Sequence, residues 1–135
     1  MSEVRAVRER LKEFSDKVRD GIWIGVIGKL IRHIVNIGIG GSHLGPMMVA
    51  EVLKDFWREG MTLAFVSNFD RVQLEDAFVG LDLGVTLFVI VFKIFIIVEI
   101  MANAHVVREW LVTVLGDVVV VKHFAVVFIN VVVVV

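Results

Sequence analysis

The segment Asn36-Ile-Gly-Ile-Gly-Gly-Ser-His-Leu-Gly-Pro46 constrains this chain more than any other. It continues an apolar run that starts at Ile34, passes through a cluster of glycines, and enters a stretch that reads as the start of a helix. A short apolar run ended by glycine suits a buried strand of a parallel sheet. Gly40 and Gly41 let a backbone approach a ligand with no Cβ in the way. Free N–H groups and the positive end of the following helix favour an anion there, and Ser42 adds a hydroxyl donor. Phosphate is the obvious candidate. A tight turn that packs strand against helix accounts for the same glycines equally well. Two familiar phosphate loops are excluded. A dinucleotide fingerprint from Gly38 needs glycine where His43 stands, and Gly28-Lys29 runs into Leu30 rather than the Ser or Thr of a Walker loop.

The rest of the chain alternates in the same way. Val4, Val7, Leu11, Phe14 and Val18 fall on one face of an expected first helix, with Ser2 to cap it and Gly21 to end it. A short irregular stretch follows from Gly21 to Leu30. Strands are expected at Ile34–Ile39, Met61–Ser67, Val85–Val91 and Phe124–Ile129, and Val118–Val121 is ambiguous. Between them, Leu44–Arg58 reads as a helix with Leu44, Met48, Val52 and Phe56 on its apolar side, stopped by Gly60. Asp70–Val79, with Leu74 and Phe78 inward, and Val98–Leu115 read as two more helices. Alternating strands and helices predict an α/β fold, a parallel sheet with helices on both faces joined by right-handed crossovers. The glycine turn then lies at a strand's carboxyl end, where open α/β sheets bind ligands.

Composition narrows the function. With 135 residues the chain fits one ordinary domain, and 14 basic against 15 acidic side chains give no compositional support to nucleic-acid binding. The absence of cysteine removes disulfides, thiolate metal sites and cysteine nucleophiles. His33, His43, His105 and His123 show no short metal-ligand spacing, so no metal site is expected. A membrane span is disfavoured: the best apolar run, Val85–Val98, is short of the usual length and is interrupted by Lys93. The first residues alternate in charge and lack a signal peptide's apolar region, which favours a cytoplasmic domain. Valine is heavily used, and Ser2, Ser15, Ser42, Ser67, Thr62, Thr86 and Thr113 carry all the aliphatic hydroxyls. That is sparse for a domain that would bind an anion.

Gly38-Ile-Gly-Gly-Ser-His-Leu-Gly-Pro46 resembles the signature segment of the glucose-6-phosphate isomerase (phosphoglucose isomerase) family, of the sugar isomerase domain superfamily. Phe14–Trp23, Phe65–Asp70, Gly80–Asp82, Thr86–Phe88, Met101–His105, Leu115–Asp117 and Lys122–Phe124 are similar to family segments in the same order. The resemblance implies a doubly wound sugar isomerase domain, with residues 1–30 as an amino-terminal helix and lead-in and 31–135 as a partial domain. It implies interconversion of glucose 6-phosphate and fructose 6-phosphate, in glycolysis and gluconeogenesis, without a cofactor, by a homodimer. It also implies that the catalytic acid–base residues lie in segments beyond Val135, so no catalytic residue is expected in this chain.

The resemblance places the substrate phosphate on Gly41, Ser42 and a second segment, Phe92-Lys-Ile-Phe-Ile-Ile-Val-Glu-Ile100. The family's counterpart is rich in serine and threonine around a lysine. Here Lys93 and Glu99 match, with Glu99 on the substrate side, but Phe92, Ile94, Ile96 and Ile97 stand where hydroxyls are expected. A carbon branch can keep a threonine's volume but cannot donate a hydrogen bond. His43 stands where the family has an acid. The expectation is weak phosphate binding or none, and no activity by this chain alone. A binding-only sugar-phosphate domain and a non-functional artificial α/β chain remain as alternatives.

Overall fold

A computed structural model of the chain describes residues 3–67, 76, 78–92, 105–109, 112–113, 123–128 and 131–134. The first helix, α1, runs over Glu3–Arg19. It ends where Gly21 takes a positive φ of 72°. Its solvated face carries two ion pairs, each joining side chains one turn apart. Asp16 accepts a hydrogen bond from Lys12 at 2.6 Å and holds that ammonium's pKa above its ordinary value. Lys17 donates to Glu13 at 2.7 Å and holds that carboxyl below its own. Both pairs are exposed and contribute little to stability.

Five strands follow: β1 (His33–Ile37), β2 (Thr62–Val66), β3 (Thr86–Phe92), β4 (Phe124–Phe128) and β5 (Val131–Val134). They form one sheet in the order β2-β1-β3-β4-β5. β1 pairs in parallel with both β2 and β3, and β3 pairs in parallel with β4. The expected α/β architecture is therefore present, with one correction. The apolar tail from Phe124 onwards is two strands, and β5 runs antiparallel to β4, with Val126 opposite Val133. Among the described residues, no helix is long and apolar enough to cross a membrane.

Alternation along the strands builds a core on each face. On one side Val35, Ile37, Phe88 and Ile90 pack with Phe78 and Val107, whose segments, at 76–78 and 105–113, are helical where described. Phe78 meets Phe88 edge-on at 5.6 Å. On the other side Val18 of α1 packs with Ile31 and Leu87, and Phe14 lies edge-on to Trp23 at 5.4 Å. This second core is looser, with an apolar cavity of about 270 Å³ between α1 and the sheet. Ser2, Leu74, Asp117 and Val118–Val121 lie outside the described residues.

The stretch from Gly21 to Leu30 is closed by an isolated bridge between Ile24 and Leu30 and is anchored by His123. The His123 ring is fully buried. Its Nδ1 lies 2.6 Å from the Thr86 carbonyl, which can only accept, so Nδ1 carries the proton. Nε2 is then free to accept from the Val26 N–H at 3.2 Å. Replacing His123 with Leu leaves that amide and that carbonyl without the ring. A loss of about 1–3 kcal/mol is expected in urea unfolding.

The second helix corrects the expectation in two ways. α2 runs over Gly41–Val52, starting before Leu44 and stopping well short of Arg58. It starts early because Gly40 turns the chain, with φ 59° and ψ −124°, and accepts from the Leu44 N–H at 2.9 Å. It stops early because the Trp57 indole donates to the Ala50 carbonyl at 3.0 Å, occupying the acceptor that the next helical N–H would use. A short 3-10 turn, Lys54–Phe56, follows, and Gly60 (φ 79°) belongs to the turn before β2. The second correction concerns the face: Leu44, Met48, Val52 and Phe56 point to solvent.

Candidate functional site

From β1 the chain moves outward to β2 and then returns to β3 on the opposite side of β1. This reversal makes the β1/β3 boundary a topological switch point, the place where such sheets open a crevice at their carboxyl ends. Ile37, the last residue of β1, is level with Ile90 of β3. The glycine turn leaves from Ile37 and the second candidate segment begins at Phe92, so both start at the same mouth. Phe92 closes β3, paired with Phe128. Lys93, Ile94, Ile97 and Glu99 lie outside the described residues.

Three residues of the glycine segment fix the turn. Pro46 sits inside α2 and has no N–H to give the Ser42 carbonyl four residues earlier. The side-chain amide of Asn36, buried in β1, donates to that carbonyl instead at 3.2 Å. Gly38 lies directly beneath: a Cβ there would stand 2.6 Å from the Ser42 carbonyl oxygen and 2.8 Å from its carbon. Strand and helix start are thus in backbone contact at Gly38 and tied by one side chain.

The donors of the turn divide unequally. The Ser42 N–H is engaged with the Ile39 carbonyl at 3.2 Å, and that of His43 with the Gly40 carbonyl at 3.1 Å. The Gly41 N–H has no acceptor among the described residues, and a Cβ on Gly40 or Gly41 would meet nothing within 4 Å. The open part of the turn is therefore Gly40–Gly41, with the half-buried Ser42 beside it. Ser42 does not cap the helix; the N-cap is Gly40, and the first turn of α2 carries no acid. An anion at this helix end would meet an open amide, a hydroxyl and the helix dipole. His43 turns inward, edge-on to Phe65 at 6.4 Å, with Nδ1 buried and unpartnered among the described residues.

Other titratable groups do not join this crevice. His33 shares a hydrogen bond with the Thr62 hydroxyl at 2.6 Å, at the amino end of the sheet. Asp82 accepts from the Gly84 N–H at 2.9 Å as a turn residue. Among the described residues, no three His, Asp or Glu side chains gather around a cation position. A recess near the amino ends of β1 and β2 holds Arg19, Arg32 and Arg58, but Asp20 and Glu59 line it too and offset two of the three charges.

Sequence reasoning named Gly41 and Ser42 but missed Asn36 and Gly38 as the residues that hold them. The signal was available. A proline four residues after Ser42 strips its carbonyl of a donor, and the one amide side chain of β1 is placed to replace it.

The sequence profile of the phosphoglucose isomerase family matches residues 1–134. A glucose-6-phosphate isomerase of Roseiflexus castenholzii is 46% identical over 129 residues, which are 95% of this chain and 24% of that protein. One from Streptomyces griseus is 49% identical over 123 residues, 90% of this chain and 22% of that protein. The crystal structure of a glucose-6-phosphate isomerase from Chlamydia trachomatis superposes with a TM-score of 0.78 at 27% identity. It covers 93% of this chain and 22% of that one. A hypothetical protein from Thermus thermophilus superposes with a TM-score of 0.70 at 25% identity, covering 90% of this chain and 26% of that one. The chain thus spans about a quarter of the length of the curated relatives it matches.

Proposed function

The chain belongs to the phosphoglucose isomerase family, and from that premise we propose that it holds the phosphate of a sugar phosphate at the glycine turn without isomerising the sugar. The observation that carries this reading is the open Gly41 amide at the start of α2, beside a topological switch point. Glucose 6-phosphate and fructose 6-phosphate are the ligands, and Gly41, Ser42 and Lys93 supply donors and charge. Phe92, Ile94 and Ile97 occupy phosphate-side positions without contributing hydroxyls, and Glu99 borders the sugar. Residues 1–30 form the lead-in and 31–135 the partial sugar isomerase domain. The same family reading makes the protein cytoplasmic and homodimeric.

Binding is weak because so few donors remain; with an amide, a hydroxyl and one ammonium, dissociation in the range of about 1 mM is expected. Catalysis needs more. Moving a proton between C1 and C2 requires a base within hydrogen-bond reach of those carbons. On this reading that base is not among the residues of this chain. A coupled assay with fructose 6-phosphate should therefore read background, while calorimetry with glucose 6-phosphate should read weak, saturable heat. Turnover well above background would overturn the non-catalytic reading, and the absence of any binding would overturn the phosphate reading.

A further inference from the structure

The apolar cavity of about 270 Å³ in the looser core lies between Phe14 and Val18 of α1 and Ile34, Leu87, Val89 and Ala125 of the sheet. Among the described residues that line it, the charged side chain is Arg19, at the end of α1. The recess that holds Arg19, Arg32 and Arg58 adjoins it, because Val18, Arg19 and Met61 line both. Backbone contacts build this junction. Gly21 turns the chain at the end of α1 with its φ of 72°. The Thr62 N–H donates to the Arg32 carbonyl at 2.8 Å, which sets Arg32 beside Met61 at the amino ends of β1 and β2. The Arg32 guanidinium lies over Gly60, where a Cβ would stand 3.2 Å from its Nη1.

The two parts differ in chemistry and complement each other. A cavity with apolar walls gives water no partners and takes apolar molecules instead. A cavity of about 150 Å³ accepts benzene, and in proportion one of about 270 Å³ accepts a body of roughly ten carbons. The recess alone is a poor anion site, since Asp20 and Glu59 leave its three guanidiniums one net positive charge. Arg19, Arg32 and Arg58 make no ion pair among the described residues, so their donors remain available. One net positive charge matches a head group with one negative charge. The planar guanidinium fork matches a carboxylate.

We propose that cavity and recess form one binding site for a free medium-chain monocarboxylate, an acid with an apolar body of roughly ten carbons. The body lies under α1, and the carboxylate meets Arg19 on the side of Arg32 and Arg58. The charged end of this site is at the amino ends of β1 and β2, away from the glycine turn, and does not depend on the sugar-phosphate reading. A sugar phosphate brings a charged head but no apolar body, so the cavity contributes nothing to holding it.

Calorimetric titration of the chain with decanoate, decanol and acetate separates the two parts of the site. Decanoate should bind saturably and at least about tenfold more tightly than decanol, which has the same body without the charge. Acetate, a head without a body, should not bind. Arg19→Gln, an exposed change, should weaken decanoate about tenfold and leave decanol unaltered. Ala125→Leu fills the cavity from the sheet side and should abolish binding of both. Overpacking can also unfold a chain, so methyl-resolved NMR of the unaltered protein supplies a second reading. Decanoate should shift the methyls of Val18, Ile34, Leu87 and Val89. Equal affinity for decanoate and decanol, indifference to Arg19→Gln, shifts centred elsewhere, or displacement of decanoate by glucose 6-phosphate would each overturn the proposal. So would binding to anionic lipid vesicles with none to monomeric decanoate.

Discussion

A methyl group added at Gly38 is expected to destabilise the chain by about 1–3 kcal/mol and to abolish the proposed anion binding at the turn. The new Cβ would stand 2.6 Å from the Ser42 carbonyl oxygen, and the atoms it meets are backbone, which cannot swing aside as a long side chain would. Alanine also lowers the entropy of the unfolded chain, a gain of about 0.4–1 kcal/mol, but the clash outweighs it. Relief can come only by lifting the start of α2 off β1, which breaks the Asn36 hydrogen bond and moves Gly41 and Ser42 together. Urea unfolding of Gly38→Ala, read beside calorimetry with inorganic phosphate, checks both parts. Unchanged stability would mean that the close approach of strand and helix does not hold in solution.

The second large effect is a gain. Replacing Phe92 with Ser, and Ile94 and Ile97 with Thr, should strengthen glucose 6-phosphate binding more than about tenfold. Each restored charge-assisted hydrogen bond contributes on the order of 1–3 kcal/mol, so one well-formed bond suffices. Family resemblance and topology meet at this segment, which opens at Phe92, two residues past the level of Ile37, where the glycine turn begins. Calorimetric titration before and after the triple change is the check. A folded variant that binds no better would show that the two segments do not form one cradle.

Much of this fold was legible in the sequence because its parallel strands are short, apolar and punctuated by glycine. The turn after Ile37, a helix beyond it and a third strand near Val85–Val91 follow from period and punctuation alone. Three features did not. The start of α2 is set by Gly40, which has no capping side chain for a reader to notice. The outward face of α2 was hidden because a helix apolar on both sides gives periodicity no face to choose. The direction of β5 was hidden because Val131–Val134 is uniform, and a uniform strand specifies neither register nor orientation. At the candidate site the donors were legible and their support was not, since Asn36 and Gly38 act through the Ser42 carbonyl rather than on a ligand.

Amide-resolved NMR titration with glucose 6-phosphate decides whether the glycine turn is an anion cradle of the phosphoglucose isomerase kind. A cradle there gives saturable shifts at the Gly40, Gly41 and Ser42 amides, with those of Gly60 and Arg32 at the other end of the sheet unmoved. Absence of saturable shifts at the turn, or shifts centred on Arg32 and Gly60, would contradict it.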